Sequence, residues 1–311
     1  MRDIVVGLPV FNGEETINRC LDSILSQTYK NFKLIISDNS STDSTSKICK
    51  EYEKKDKRII YVRQKNNLGP IPNFRFVLNY LKSDYFVWLA HDDYWDDHFL
   101  ENNIKILNSK KNVIASIGQT KYVGKNIQTF DFDKKDNVFK SIYKKIRRHF
   151  LSIHCYSIND LKYEKRVKTC FKSRKYALFF YSLFRTEILK KVFDHQTQGH
   201  DMILILKILR HGYIHASNDV LIYRGTCGMS NRNNSVDLYL KKSIKFRKIL
   251  FPRIPFLKWC KNNLGWKIIL QNFRYFTCVS LSGIWGLFLS LIKFYSFRKI
   301  KQDYFYVSDL S

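Results

Sequence analysis

Residues 4–25 read IVVGLPVFNGEETINRCLDSIL, and this stretch decides the fold class. Ile4–Leu8 is a short apolar run rich in β-branched residues, and Asn12-Gly13 supplies turn chemistry soon after it. Beyond the turn, Ile17, Leu21, Ile24 and Leu25 recur at the spacing of one helical face. A strand, a tight loop and an amphipathic helix follow one another without a linker.

The same unit repeats outward. Phe32–Ser37 predicts a second strand, and Asp43 to about Tyr52 a helix opened by Ser, Thr and Asp caps. Arg58–Val62 predicts a third strand and Pro72–Leu81 a third helix. Tyr85–Ala90, YFVWLA, is almost wholly apolar, as expected of a central parallel strand covered on both faces. Strands alternating with helices imply right-handed crossovers and an α/β sheet. Ligands of such sheets bind at the carboxyl ends of the strands, and polar residues gather there. The four strand ends lead into Pro9-Val10-Phe11-Asn12-Gly13-Glu14-Glu15, Ser37-Asp38-Asn39-Ser40-Ser41-Thr42-Asp43, Asn66-Asn67-Leu68-Gly69-Pro70 and His91-Asp92-Asp93-Tyr94-Trp95.

Composition narrows the partners. Against 27 Asp+Glu the chain carries 54 Lys+Arg, a formal net charge of +27, so anionic partners are expected. Nucleic acid, acidic lipid and phosphorylated substrates all qualify on charge alone. The 7 cysteines show no C-x-x-C spacing and read as reduced thiols rather than a disulfide frame or zinc site. The first residues lack the zones of a signal peptide, so a cytoplasmic location is expected.

Periodicity weakens after about residue 120. The stretch 134–175 is basic, Met202–Arg210 reads as a helix and Val220–Tyr223 as a strand. From Leu238 to Gln302 there is no acid, while Lys and Arg alternate with aromatic residues. Such a segment suits an anionic membrane surface. Tyr275–Ile292 carries no formal charge and sits at the lower limit for spanning a bilayer. A surface-bound or re-entrant helix, a packed helix and a spanning helix are the three readings.

The strand-end motifs resemble family 2 glycosyltransferases. LPVFNGEETINRCLDSILSQTY is similar to the family's opening strand, Pro-x-Phe/Tyr-Asn-x-Glu and helix ending near Gln-Thr-Tyr. LIISDNSSTDST resembles its second strand and loop, NNLGPIPNF its Asn-x-Gly segment, and FVWLAHDDYWDDHFLE its carboxylate motif. The matches come in family order across about the first hundred residues, with a weaker echo to about residue 230.

The resemblance implies a GT-A (Rossmann-like) fold, a mostly parallel sheet flanked by helices. It also implies an inverting enzyme that moves a sugar from a nucleotide-sugar donor to an acceptor hydroxyl. Pro9, Phe11, Asn12, Glu14, Asp38, Asn67, Gly69, His91 and Asp93 then bind the nucleotide-sugar, and Asp92 holds Mg²⁺ or Mn²⁺ against the diphosphate. Each has a plainer alternative: Asp38 caps its turn, Glu14 favours a helix N-terminus, Asn67 and Gly69 form a turn, and His91 is structural. Asp201, in Gly199-His200-Asp201-Met202, is the candidate general base or else a helix cap.

The chain departs from the pattern in three places. Ala90 stands where the first carboxylate of Asp-x-Asp-Asp is usual, His200 where a Glu is common, and Cys227 where a His often follows Arg224. The Gln-x-x-Arg-Trp motif of processive members is missing, which argues for one sugar per encounter. We expect a catalytic domain over residues 1–235 and a basic, membrane-interacting helical tail over 236–311. The expected acceptor is a lipid-linked or cell-surface glycan, met at the inner face of the plasma membrane. The alternatives are a nucleic-acid-binding basic protein, which leaves the strand-end loops unexplained, and an inactive glycosyltransferase-like scaffold.

Overall fold

The structure, a computed structural model, describes residues 3–123, 155–173, 176–193, 200–225 and 254–274. The chain divides into two compact units, Met1–Gln196 with Asp201–Cys227, and Thr197–His200 with Gly228–Ser311. Most of the basic stretch from residue 134, Cys227 and Tyr275–Ile292 lie outside the described residues.

The first unit is built on an eight-stranded sheet in the order β3-β2-β1-β4-β7-β6-β8-β5. Its first half is the predicted run of crossovers: β1 (Ile4–Val10), α1 (Ile17–Leu25), β2 (Phe32–Asp38), α2 (Thr45–Lys55), β3 (Ile59–Arg63), α3 (Pro70–Tyr80) and β4 (Tyr85–Trp88). These four strands are parallel. The register places Val10 beside Asp38 and Asp38 beside Arg63, so the carboxyl ends of β1, β2 and β3 lie level. Every residue of β1 and β4 is buried, as helices on both faces require.

Two boundaries shift for local reasons. Helix α3 starts at Pro70 rather than Pro72, because Gly69 adopts a left-handed φ of 83° and Pro70, preset for helical φ, takes the first turn. Strand β4 ends at Trp88 rather than Ala90: Leu89 still donates to the Gly7 carbonyl at 3.0 Å, but Asp93 N–H turns back onto Ala90 O at 3.1 Å.

The second half is β5 (Tyr94–Trp95), α4 (Phe99–Ser109), β6 (Val113–Val123), α5 (Tyr163–Lys172), a 3-10 turn at Tyr176–Tyr181, β7 (Leu183–Arg185), α6 (Thr186–Val192), α7 (His200–Ile208) and β8 (Tyr213–Gly225). Strand β7 runs antiparallel between β4 and β6, whereas β6 and β8 are parallel. The expected Val220–Tyr223 is only the end of the 13-residue β8. Register shifts against β6 break its apolar alternation, which hides its first half from periodicity.

Where the two halves meet, the core gathers on Trp88. Its ring stacks on Phe180 at 4.6 Å and 10°, meets Phe86 edge-on at 4.9 Å, and donates its indole N–H to Phe74 O at 3.0 Å. In the second unit, α8 (Ile254–Gln271) is broken at Gly265, φ 79°, and buries Phe256, Cys260 and Leu264 before the break and Ile268 after it. No described helix is long and apolar enough to cross a membrane.

Candidate active site

The first two strand-end loops clasp each other through backbone donors. Asn12, at a left-handed φ of 51°, gives its N–H to Ser41 Oγ at 3.0 Å and takes the Thr42 N–H on Oδ1 at 2.8 Å. Gly13 N–H reaches Thr45 Oγ1 at 2.8 Å, Glu14 N–H reaches Asp43 Oδ2 at 3.2 Å, and Ser44 N–H returns to Glu14 Oε2 at 2.9 Å. Asp43 also accepts the Thr45 N–H at 3.0 Å. Burial acts to raise its carboxyl, but the hydrogen bonds from Thr45 and Glu14 outweigh it and hold the pKa below its ordinary value.

Asp38 is fully buried at the end of β2. Its Oδ1 accepts the Ser41 N–H at 2.8 Å; its Oδ2 takes the Tyr61 hydroxyl at 2.7 Å and the Arg63 guanidinium at 3.4 Å. The Oδ1 bond caps the Ser/Thr-rich turn, and the Oδ2 bonds reach across to β3. Asn39, given no role in the sequence reading, joins three loops. Its N–H bonds Val10 O at 2.8 Å, its amide bonds Asn67 Oδ1 at 2.9 Å and Gly69 O at 3.1 Å, and its Oδ1 takes the Leu68 N–H at 2.8 Å. Asn67 Oδ1 also takes the Gly69 N–H at 2.9 Å, so Asn67 and Gly69 form one tied turn. Pro9 is buried in β1, and Phe11 is half-buried where β1 opens into its loop.

The carboxylate turn lies beside this clasp. His91 Nδ1 meets Thr16 Oγ1 at 2.9 Å, and Cys20 Sγ donates to Ala90 O at 3.6 Å, tying the turn to α1. Behind it, the buried Gln27 amide donates to Ser23 O at 3.0 Å and Asp96 O at 2.7 Å and accepts the Leu100 N–H at 2.9 Å. Thr28 adds bonds to Asp97 O and Glu101 Oε2. The Gln-Thr pair after α1 thus anchors the chain that follows the two aspartates.

Asp93 is 3% exposed and accepts the Gly225 N–H on Oδ1 at 3.0 Å, while the Arg224 guanidinium stands 3.9 Å from Oδ2. Burial pushes its carboxyl up to about 7. Arg224 and the Gly225 N–H pull against that, and Asp92 adds to it. Asp92 is half-exposed and accepts no hydrogen bond among the described residues.

Arg224 lies over the Tyr181 ring at 5.3 Å and opposite Tyr122 on β6. Burial works to lower its pKa, but Tyr181, Asp93, Tyr122 and Asp92 raise it on balance. The Tyr181 phenol is pushed up by burial; it feels Arg224 in one sense and Asp93, Asp201 and Asp92 in the other. Asp201 stands in the first turn of α7. The signal for Gly225 was present in Tyr-Arg-Gly after an apolar run, but its partner is 132 residues away. Tyr181 carried no sequence signal.

The donor set fits a divalent ion that shares its shell. Among the described residues no group of three or more His, Cys, Asp or Glu gathers, so a closed protein cage is not offered. Two adjacent carboxylates, Asp92 half-exposed and Asp93 buried beside Arg224, suit a Mg²⁺- or Mn²⁺-type ion, which completes its coordination with water and phosphate oxygens.

The profile described as Glycosyl transferase family 2 matches residues 5–193. Glycosyltransferase GlyA of Streptococcus pneumoniae serotype 4 is 37% identical over 103 residues, 33% of this chain and 14% of that protein. The Escherichia coli UDP-Glc:alpha-D-GlcNAc-diphosphoundecaprenol beta-1,3-glucosyltransferase WfaP is 34% identical over 111 residues, 36% of this chain and 43% of that protein. Less than half of either relative is therefore spanned. Among solved structures, S. aureus TarS 1–349 superposes with a TM-score of 0.54 at 17% identity, covering 73% of this chain and 61% of that one. At that identity the likeness carries the fold, which is GT-A.

Proposed function

The chain belongs to glycosyl transferase family 2, and we propose that it transfers one sugar from a nucleotide-diphosphate sugar to an acceptor hydroxyl with inversion. The observation that supports this best is the Asp92-Asp93 turn, closed by Gly225 and faced by Arg224.

In this reading Pro9, Phe11, Asn12, Glu14, Asp38, Asn67, Gly69 and His91 bind the nucleotide-sugar donor. Asp92 holds the divalent ion with Asp93 beside it, and that ion, when bound, neutralises charge on the diphosphate. Arg224 adds a fixed positive charge on the same side. Asp201 takes the proton of the attacking acceptor hydroxyl from the face opposite the leaving diphosphate.

For the acceptor we propose a lipid-linked or cell-surface glycan. WfaP, by its name, acts on a diphosphoundecaprenol-linked sugar, and the acid-free segment 238–302 suits an anionic membrane. The catalytic part is residues 1–235, and the tail 236–311 brings it to the inner membrane face. A nucleic-acid role leaves the carboxylate turn without a purpose.

A thermal-shift panel against UDP-, GDP-, dTDP- and CMP-sugars, with and without Mn²⁺, tests the donor site. A metal-dependent shift for one nucleotide class is expected. Folded protein that shifts with none of them overturns the reading.

A further inference from the structure

Three of the large apolar side chains exposed among the described residues fall within eight positions of one another. Trp266 is 59% exposed, Leu270 67% and Phe273 59%. The first two lie in α8 after its break at Gly265, and Phe273 lies just past its end. Their spacing of four and three residues puts them on one helical stripe. Ile268 and Asn272 are buried on another side of the same segment, so this part of the helix has one buried face and one exposed apolar face.

The surroundings of that stripe carry one sign of charge. Lys258, Lys261, Lys267 and Arg274 are all exposed, and Lys261 Nζ stands 5.3 Å over the Trp266 ring. No acid occurs between residues 238 and 302. A partner must therefore offer negative charge at its surface and hydrocarbon just beneath it. A phosphate backbone supplies the first without the second, and Leu270 gains nothing from it. An anionic bilayer supplies both.

We propose that Trp266, Leu270 and Phe273 form a docking face for an anionic phospholipid surface, with Lys261, Lys267 and Arg274 engaging the headgroups. The side chains enter the headgroup–acyl boundary while the helix lies in the interface plane. The inference deepens the transferase reading, on which its purpose rests: it names the surface through which a lipid-linked acceptor is approached.

The test is flotation of the full chain with vesicles of phosphatidylcholine alone and of phosphatidylcholine with phosphatidylglycerol. Binding is expected with phosphatidylglycerol and should weaken with salt. The combined variant Trp266→Ser, Leu270→Ser and Phe273→Ser should lose at least about tenfold in partition. Lys267→Gln or Arg274→Gln alone should lose about fivefold. In wild-type protein, brominated lipid should quench part of the tryptophan emission, and Trp266→Phe should abolish that part.

Unchanged partition in the combined variant overturns the proposal. So does a loss of self-association in that variant, seen by light scattering, with vesicle binding intact; the face would then join two copies of the chain. Transfer to a water-soluble acceptor separates the two readings. If wild-type protein binds vesicles and transfers nothing, the transferase reading fails and this one stands. Transfer without vesicle binding gives the reverse.

Discussion

The backbone N–H of Gly225 donates to Oδ1 of Asp93 at 3.0 Å, so the end of β8 closes the turn that follows β4. The approach is tight enough that a Cβ at 225 would overlap the Asp92 carbonyl oxygen, a backbone atom that cannot rotate away. Gly225→Ala should therefore displace both aspartates together. We expect turnover to fall about a hundredfold, the scale of a misplacement near 1 Å, with a melting temperature lowered by only a few degrees. A variant with wild-type kcat would show that the turn tolerates displacement and is not the reacting site.

Asp92→Asn and Asp201→Asn should separate binding from chemistry. Asp92→Asn removes the half-exposed carboxylate proposed for the ion, so the metal-dependent thermal shift with donor should disappear along with activity. Asp201→Asn should keep that shift and lose about 10²–10⁴ in kcat, the range of a general base. Both proteins should melt close to wild type. Full activity in either variant removes the role assigned to it.

Gln27 is 0% exposed and meets all three of its hydrogen bonds within the protein. Gln27→Leu strands the Leu100 N–H and the Asp96 carbonyl, and an unsatisfied buried group costs about 1–3 kcal/mol. We expect a loss of about 2–3 kcal/mol by urea unfolding and a drop in kcat beyond what stability explains. The second effect follows because the freed segment continues directly from the aspartate pair. Wild-type kinetics in a destabilised variant would confine Gln27 to the fold.

Asp43 gives a pH signature. Its folded pKa is depressed, so its contribution to stability is fully present above the unfolded value and is lost as pH falls through the folded one. Asp43→Ala should lower the melting temperature at neutral pH, and the gap to wild type should close once the pH drops below the ordinary carboxylate range. A gap that persists in acid would mean that the carboxylate charge is not what holds the loop.

The parallel half of the sheet was legible because each strand–loop–helix unit closes locally. Ile4–Val10 and Ile17–Leu25 declare themselves through period and turn chemistry alone. Strand β8 was not, since register shifts against β6 interrupt its alternation and its partners lie about a hundred residues away. The same division holds at the site. Asp92 and Asp93 stand out beside an apolar strand, but Asn39, Tyr181, Arg224 and Gly225 matter through contacts that only the folded chain creates. Asp38 stands out at the end of its strand in the sequence, and the fold adds its partners Ser41, Tyr61 and Arg63.

Arg224 offers the sharpest test of how positive charge is shared at the site. Its guanidinium faces Asp93 at 3.9 Å and rests on the Tyr181 ring at 5.3 Å. It competes with any divalent ion for the aspartates, yet helps hold an anionic donor. Removing it should therefore move two affinities in opposite directions. In Arg224→Met, the Mn²⁺ concentration for half-maximal activity should fall, because the aspartate pair has lost its nearest fixed cation, while the donor KM should rise by roughly tenfold. Arg224→Lys keeps the charge but loses the planar group that lies over the tyrosine, so it should recover the Mn²⁺ requirement better than the donor KM. A merely structural arginine would lower stability and move both quantities the same way, or neither, and that result would remove Arg224 from the donor site.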